Sequence, residues 1–328
     1  MDLGDFMFQK VRLAATISRS EFIMPNLGSL IMGLAWGVSS QIDLVNLAIL
    51  LILSFTVINL SSAIGAQVNT LSDYELDSRD ERKKYLVRAL DSFGRNRLEL
   101  LIVAEFSITA VLVLLFTAIL GKPILLAMWL VGIFLGWAYS APPLRLKAKS
   151  WLAPFTLILV LAVFPILFAY FAFAATVELL FLISLFGLAS TVYGVIVPTE
   201  IRDYFGDKEM GIITMTVRLG LAKSSLLGIV LLMIGAIFTV TAFLIKFLFE
   251  ERSLLVVFVL PILIAVFFVL TKFRKLHLLS KEYALSKGQS SLKDEILKLS
   301  ANNPKWVMMV TQTYSLASIV LLVSKLLL

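Results

Sequence analysis

Residues 45–66 read VNLAILLILSFTVINLSSAIGA and contain no charged side chain. A helix needs about 20 apolar residues to cross the hydrocarbon core of a bilayer, so this run is long enough to span a membrane. The residues that follow, 67–80, read QVNTLSDYELDSRD and carry four acidic side chains. The stretch therefore predicts a transmembrane helix that leads directly into an acidic segment at the membrane surface.

Eight further stretches are similarly long and apolar. The nine predicted spans cover residues 22–39, 45–66, 99–119, 124–140, 152–174, 178–198, 225–248, 254–271 and 307–327. Over all 328 residues, 59% are hydrophobic and 16% charged, whereas a soluble domain carries about 25% charged residues. We therefore predict an all-α polytopic membrane protein with nine transmembrane helices. We expect one domain over residues 1–328, with two pseudo-repeated halves at about 20–120 and 124–248 followed by helices 8 and 9.

Positive charges lie almost entirely on one side of this topology. With the N-terminus in the cytoplasm, 25 of the 29 Lys and Arg residues fall in cytoplasmic segments, in line with the positive-inside rule. These charges alternate with long apolar stretches and form no single basic domain, so we expect membrane lipid around the protein and no binding of nucleic acid. The pattern predicts an integral protein of the cell membrane whose long connections after spans two and six are cytoplasmic.

Cysteine and histidine are nearly absent. The chain has no Cys, and His277 is its one histidine. This excludes disulfides, thiolate metal sites, a cysteine nucleophile and multi-histidine metal sites. Any chemistry must come from carboxylates, hydroxyls, basic side chains and metal ions held by oxygen.

Two acidic motifs follow even-numbered spans directly. Asn69, Asp73 and Asp77 recur every four residues, and Glu200, Asp203 and Asp207 are spaced i, i+3, i+7, so each set shares one face of a helix. Neighbouring like charges destabilise a helix unless a cation compensates them. Mg²⁺ prefers carboxylates combined with substrate phosphates, so two facing clusters would suit a diphosphate bridged by Mg²⁺. The alternative is that these residues are solvated helix ends paired with nearby Lys and Arg.

A basic segment lies between the two motifs, at the inner end of the fourth span. Residues 136–147 read GWAYSAPPLRLK, and Pro142 and Pro143 are expected to stop the helix and stiffen its exit. Arg145 and Lys147 would then be held at the interface, where they would bind phosphate oxygens. The alternative is that this short basic loop only anchors the protein at the membrane surface.

With these motifs the chain resembles the UbiA superfamily of intramembrane prenyltransferases. The similarity includes the Asn69-x3-Asp73-x3-Asp77 motif, the segment Tyr139–Lys147 and the stretch from Asp203 to Gly220, which is the most specific of the three. The resemblance implies nine helices around a central chamber that opens sideways to lipid. It also implies a cytoplasmic cap, formed by the loops after helices 2 and 6, that covers two Mg²⁺ ions and the prenyl diphosphate.

The resemblance also implies roles for individual residues. Metal binding falls to Asn69, Asp73, Asp77, Asp203 and Asp207. Catalysis falls to Asp73, Asp77, Asp203 and Asp207. Beside the resemblance, Tyr139 is expected to act in catalysis by stabilising developing positive charge through a cation–π contact, with Tyr74, Tyr193 and Tyr204 as further candidates. The alternative is that these tyrosines form hydrogen bonds with acidic side chains at the cap. Substrate binding falls to Asn69, Arg145, Lys147, Glu200, Arg88, Lys84 and Arg19.

The chain departs from the family pattern at two places. Many members continue after the first motif with Asn-x-Pro-x-Arg-Pro, where this chain reads Asp80-Glu-Arg-Lys-Lys-Tyr-Leu-Val-Arg88, so the phosphate-binding role of Lys83, Lys84 or Arg88 is left open. The second motif often begins with Asp, where this chain has Glu200, which would serve either a metal or as a base. Arg19 would be either a diphosphate partner or an interface anchor.

The function that follows is Mg²⁺-dependent transfer of a prenyl group from an isoprenyl diphosphate to a lipophilic acceptor. We expect geranylgeranyl diphosphate as the donor. The acceptor would be an aromatic quinone precursor or an archaeal glycerophosphate ether lipid. The rival hypothesis is an ion-coupled secondary transporter, because carboxylates near the membrane and repeated halves also occur in that class.

Overall fold

The computed structural model describes residues 3–39, 42–79, 83–209, 211–286 and 289–327, and over these ranges it contains helices and turns but no strand. The all-helical prediction is therefore confirmed. The α-helices are α1 Leu3–Ile17, α2 Ile23–Gly37, α3 Leu44–Ser72, α4 Tyr74–Asp77, α5 Lys84–Phe93, α6 Arg95–Leu120, α7 Pro123–Ser140, α8 Leu152–Ile158, α9 Phe164–Phe173, α10 Leu179–Glu209, α11 Met215–Leu219, α12 Leu221–Ile245, α13 Leu260–Leu285, α14 Ser290–Ser300 and α15 Asn303–Leu327.

Seven helical segments of the described chain are long and apolar enough to cross a membrane. They are Leu44–Ser72, Arg95–Leu120, Pro123–Ser140, Leu152–Phe173, Leu221–Glu250, Ser253–Leu285 and Met308–Leu327. Two of them contain a π-helical segment, at Leu159–Val163 and Lys246–Glu250, and a third begins with the 3-10 segment Ser253–Val259. Apolar side chains on their outer faces, such as Leu100, Ile119 and Phe267, are exposed, as expected for surfaces in contact with lipid.

Helix α10 is an eighth candidate span, but it is bent. Its parts Leu179–Gly194 and Thr199–Glu209 meet at 45°. Pro198 lies in the interval between them and has no N–H to continue the hydrogen-bond ladder, which accounts for the bend. The predicted number of nine spans is not confirmed, because the α-helix within predicted span 22–39 is α2, which has 15 residues and is only about 22 Å long.

Two apolar cores hold the bundle together. One joins α2 and α9 to α10, α12, α13 and α15 around Tyr170, Phe181, Phe243 and Tyr314. The other joins α2 and α9 to α3, α6 and α7 around Phe116, Trp129 and Phe168. Helices α2 and α9 therefore contact both cores.

Short helices outside the spans pack beside the two acidic motifs. Helix α1 contacts α5 through a cluster that includes Ile17, Leu90 and Leu98. Helix α14 contacts α13 and the end of α10 through Leu292, Ile296 and Ile201. Both motifs are thus supported from behind by amphipathic helices.

Candidate active site

A cavity of about 940 Å³ lies between α3, α6, α7, α10 and the segment from α8 to α9. Most of its wall is apolar, with the aromatic residues Phe106, Trp129, Phe134, Trp137, Phe164 and Phe168. Its charged lining residues come from the ends of helices and the adjoining loops. They are Arg19, Asp73, Lys83, Lys147, Glu200, Arg202 and Asp203. The cavity therefore has a charged end and a long apolar body.

The first acidic motif keeps helical geometry across the end of α3. The backbone N–H of Asp73 donates to the carbonyl of Asn69 at 3.0 Å, and the N–H of Asp77 donates to the carbonyl of Asp73 at 2.8 Å. This continuous i to i+4 ladder spaces the three side chains one turn apart. Asn69 and Asp73 line the cavity, whereas Asp77 lies beside it and is only 2% exposed.

Asp73 is the centre of the polar contacts at the charged end. Its carboxylate forms ion pairs with Lys147 and, at 3.3 Å, with Arg145, and it accepts a hydrogen bond from Asn69 Nδ2 at 3.0 Å. Asn69 Nδ2 also contacts Ser140 Oγ, at 2.8 Å, which ties α3 to the end of α7. Burial lowers the pKa of the Lys147 ammonium, and the Asp73 carboxylate opposes that shift.

The proline segment places these two basic residues as the sequence predicts. Helix α7 ends at Ser140, and Ala141 is extended before the Pro142–Pro143 pair, whose peptide bond is cis. Arg145 follows with a φ of 38°, a left-handed conformation that is uncommon outside glycine. Lys147 lines the cavity, whereas Arg145 reaches Asp73 without lining it.

Asp77 has one paired and one unpaired carboxylate oxygen. Its Oδ1 forms an ion pair with Lys83 at 3.1 Å, and its buried Oδ2 has no hydrogen-bond partner in the described part of the chain. Lys83 also lines the cavity. A buried carboxylate oxygen without a donor is costly, so its position suits a cation ligand.

Arg19 reaches the same end of the cavity from the link between α1 and α2. Its Nη2 donates to Asn69 Oδ1 at 3.4 Å, and its Nε is buried with no hydrogen-bond partner among the described residues. Its backbone is left-handed, with a φ of 51°. The side chain thus borders the cavity with hydrogen-bonding capacity to spare.

The second acidic motif borders the cavity from the opposite wall. Glu200 and Asp203 line it, and Asp207, one turn further, does not. Thr216 on α11 donates to Glu200 Oε2 at 3.0 Å, and Arg202 pairs with Asp203 at 3.4 Å. The specific stretch from Asp203 to Gly220 therefore folds back so that α11 supports Glu200.

Tyr139 is the one tyrosine of those singled out by the sequence that lines the cavity over the described chain. The hydroxyl of Tyr74 donates to Asp91 at 2.9 Å, which also raises the pKa of Tyr74. The hydroxyl of Tyr193 contacts the sulfur of Met215 at 3.0 Å, and Tyr204 packs against Phe205 and Lys208. These three side chains have structural partners of their own.

Lys84 and Arg88, predicted to bind substrate, lie on α5 and do not line the cavity, and Arg88 is exposed. Sequence reasoning missed Arg202, which lies within the second acidic motif and was counted only as a positive charge. It also missed Thr216, which belongs to the most specific stretch. It also missed Ser140, which occurs in the predicted basic segment. All three could have been found from their place in motifs already identified. Arg202 and Ser140 are next to predicted site residues, and Thr216 lies within the stretch from Asp203 to Gly220.

The acidic side chains are spread around the cavity and are not gathered at one point. Within the described ranges, no group of three or more His, Asp or Glu side chains is arranged to hold a metal ion by itself. A cation at this site would need ligands from elsewhere. Mg²⁺ commonly takes these from water and substrate phosphates.

The family model described as the UbiA prenyltransferase family matches residues 26–286. No curated protein matches the chain significantly. A UbiA homologue from Archaeoglobus fulgidus, solved with GPP and Mg²⁺, has 19% sequence identity and a TM-score of 0.59, with 92% of this chain and 99% of that chain covered. A structure of digeranylgeranylglyceryl phosphate synthase has 16% identity and a TM-score of 0.61, with 97% of this chain and 99% of that chain covered.

At these identities the structural similarity shows the fold alone. The family match is the stronger finding, because it extends over most of the chain and includes both acidic motifs and the basic segment. It confirms the resemblance seen in the sequence. This protein therefore belongs to the UbiA prenyltransferase family, and it is an integral membrane prenyltransferase.

Proposed function

We propose that the protein transfers a prenyl group from an isoprenyl diphosphate, with geranylgeranyl diphosphate as the donor, to a lipophilic acceptor in a Mg²⁺-dependent reaction. The observation that carries this proposal is the shape and charge of the cavity. A charged end that contains Arg19, Asp73 and Lys147 continues into a long apolar body lined by aromatic residues. This division matches a substrate with an anionic head and a hydrocarbon tail.

The basic side chains would bind the diphosphate. Lys147 and Lys83 line the cavity beside the carboxylates that they pair with, and Arg19 presents an unpartnered Nε there. Fixed cations of this kind bind phosphate oxygens and stabilise the negative charge that develops on a leaving diphosphate. Arg145, held at Asp73, would orient that carboxylate. The geometry favours Lys83 over Lys84 and Arg88 for a direct contact.

Two Mg²⁺ ions would be held by the two acidic motifs. The ligands would be Asn69, Asp73, Asp77, Asp203 and Asp207, and Glu200 would act as a further ligand or as a base. The buried, unpartnered Asp77 Oδ2 supports this assignment. Bound Mg²⁺ would withdraw charge from the diphosphate and favour its departure. The Lys147 and Lys83 side chains that now pair with Asp73 and Asp77 would then turn to the phosphate oxygens.

The apolar body would hold the prenyl tail and keep water away from the reacting carbon. Exclusion of water protects an allylic carbocation from being quenched. Tyr139, which lines the cavity, would stabilise the developing positive charge through its ring. The A. fulgidus homologue bound to GPP and Mg²⁺ supports an isoprenyl diphosphate donor and Mg²⁺.

The acceptor would be an aromatic quinone precursor or a glycerophosphate ether lipid. The fold shared with digeranylgeranylglyceryl phosphate synthase supports the lipid. Either acceptor would enter from the surrounding membrane lipid.

The orientation follows from the charges. We propose that the N-terminus and the cap, formed by the segments after α3 and α10, are cytoplasmic, with α2 as a ninth, short span. We also propose that the chain is one domain of two pseudo-repeated halves followed by the last two spans. Membership in a prenyltransferase family favours this function over the ion-coupled transporter.

Binding of geranylgeranyl diphosphate to the detergent-purified protein tests the proposal, with Mg²⁺ and then with a chelator. We expect binding that requires Mg²⁺ in the wild-type protein and is lost in Asp73→Asn, while Glu75→Gln, an exposed acid in the same segment, behaves as wild type. Binding that is indifferent to the metal would contradict the assignment of the acidic motifs. Absence of binding for every prenyl length would contradict the donor.

A further inference from the structure

Three polar side chains form a chain of hydrogen bonds just outside the cavity. Gln67 Nε2 contacts Ser18 Oγ at 2.8 Å and Glu105 Oε2 at 2.8 Å. These bonds join the link after α1, the C-terminal part of α3 and the middle of α6. None of the three side chains lines the cavity, so none is part of the site described above.

The arrangement is buried and costly. Gln67 is 0% exposed, both protons of its amide are used, and its Oε1 has no hydrogen-bond partner within the described chain. Glu105 lies inside the apolar span Arg95–Leu120. An ionisable group within a membrane span is unfavourable and is typically found where it serves a function. Packing alone would be served better by apolar side chains at both positions.

The residue that this network holds is next to a proposed substrate ligand. Ser18 directly precedes Arg19, whose left-handed backbone, with a φ of 51°, is strained for a residue with a side chain. Such a conformation persists only when its surroundings hold it. The bond from Gln67 to Ser18 fixes the chain on one side of Arg19, and the contact of Arg19 with Asn69 fixes the side chain itself.

We propose that Gln67 and Glu105 are positioning residues for Arg19. Glu105 orients the Gln67 amide, Gln67 holds Ser18, and Ser18 keeps the Arg19 guanidinium beside Asn69 at the charged end of the cavity. The inference rests on the proposed role of Arg19 in binding the diphosphate. It assigns a function to the Glu105 carboxylate, which lies within a membrane span and outside the sequence motifs described above.

The measurement is the dissociation constant of geranylgeranyl diphosphate in the presence of Mg²⁺, for Gln67→Leu, Arg19→Ala and the double variant. We expect each single variant to weaken binding about tenfold, or more if the guanidinium moves by an ångström. The double variant should bind no worse than Arg19→Ala, because Gln67 acts through Arg19. Ser18→Ala gives the same test if Gln67→Leu does not fold.

Two further variants separate positioning from general stability. Glu105→Gln keeps an oxygen that accepts the hydrogen bond from Gln67, and its new amide N–H can donate to the unpartnered Gln67 Oε1. Its dissociation constant for geranylgeranyl diphosphate should therefore lie within about twofold of the wild-type value. Glu105→Leu has neither group and should resemble Gln67→Leu. Tyr314→Phe breaks a buried hydrogen bond to Thr191, and neither residue lines the cavity. It should lower thermal stability without changing the dissociation constant.

Three outcomes would overturn the inference. The first is a Gln67→Leu variant that binds as wild type. The second is a double variant whose loss is the product of the two single losses. The third is an Arg19→Ala variant that binds geranylgeranyl diphosphate as tightly as the wild-type protein does. That result would overturn the positioning role of Gln67 and Glu105 but not the proposed prenyl transfer. A wild-type protein that binds no prenyl diphosphate would overturn both proposals.

Discussion

Glycines on the two sides of the bundle have opposite surroundings. Between α10 and α12, a Cβ on Gly187 would lie 2.6 Å from the backbone N of Thr239, and one on Gly235 would lie 2.6 Å from the carbonyl oxygen of Gly187. On α7, a Cβ on Gly136 would meet no described atom within 4 Å, and Gly136 lines the cavity. The same residue type permits close contact in one place and leaves open space in the other.

The difference separates stability from chemistry within one chain. The α10–α12 side is closely packed, as is usual where small residues let membrane helices approach. The α3–α6–α7 side encloses the cavity and holds the buried carboxylates Asp73 and Asp77 with their paired cations. We therefore expect substitutions at the charged end to remove activity and leave the fold intact, and substitutions at the helix contact to do the reverse.

The largest expected effect is the loss of turnover in Asp73→Asn. The change keeps the size of the side chain but removes the negative charge that would bind the cation, so turnover should fall about a hundredfold or more. The thermal midpoint should stay close to that of wild type, measured in the same detergent. Glu75→Gln is the matched control, and Asp207→Asn should resemble Asp73→Asn. A marked loss of thermal stability in Asp73→Asn would contradict the proposal that residues at the charged end serve activity and not stability.

The second prediction concerns the helix contact. Gly235→Ala should destabilise the protein by about 1–3 kcal/mol, because the new methyl group must push the backbone of α10 away. Gly136→Ala, which points into open space, should leave the thermal midpoint nearly unchanged. Equal thermal midpoints for the two variants would contradict the difference in packing. Molecules of Gly235→Ala that remain folded should still bind the donor.

The third prediction distinguishes a phosphate ligand from a membrane anchor. Lys147→Ala should weaken binding of geranylgeranyl diphosphate about tenfold, because one charge-assisted contact is removed. Lys149→Ala, an exposed lysine two residues away, should have no effect. If both variants bind as wild type, the basic loop is an anchor only.

The smallest effect is expected on α5. Arg88→Ala removes an exposed side chain outside the cavity and should change the dissociation constant by less than about twofold. Lys83→Ala removes the partner of Asp77 at the cavity wall and should have a several-fold larger effect. The reverse order would return the phosphate-binding role to Arg88.

The sequence predicted which residues meet at the charged end of the cavity better than it predicted the number of spans. The spacing of Asn69, Asp73 and Asp77 was sufficient, because the helical ladder continues through the end of α3. The first predicted span is not confirmed, because hydropathy responds to composition, whereas the length of α2 is set by where the backbone leaves the helix at Val38. Lys84 and Arg88 illustrate the same limit, since a positive charge near a motif does not reveal which way its side chain points.

The sequence by itself determined the all-helical class, the membrane location, the family and most of the residues at the charged end. It did so because apolar run length and i, i+4 spacing are local properties that a helix translates directly into geometry. The tertiary structure decided which of these residues share the cavity, that Ser18, next to Arg19, is joined through Gln67 to Glu105, and that one side of the bundle is open while the other is closed. The hydrogen bonds from Ser18 through Gln67 to Glu105 alone join residues 87 positions apart, and only the packing of the helices brings them together.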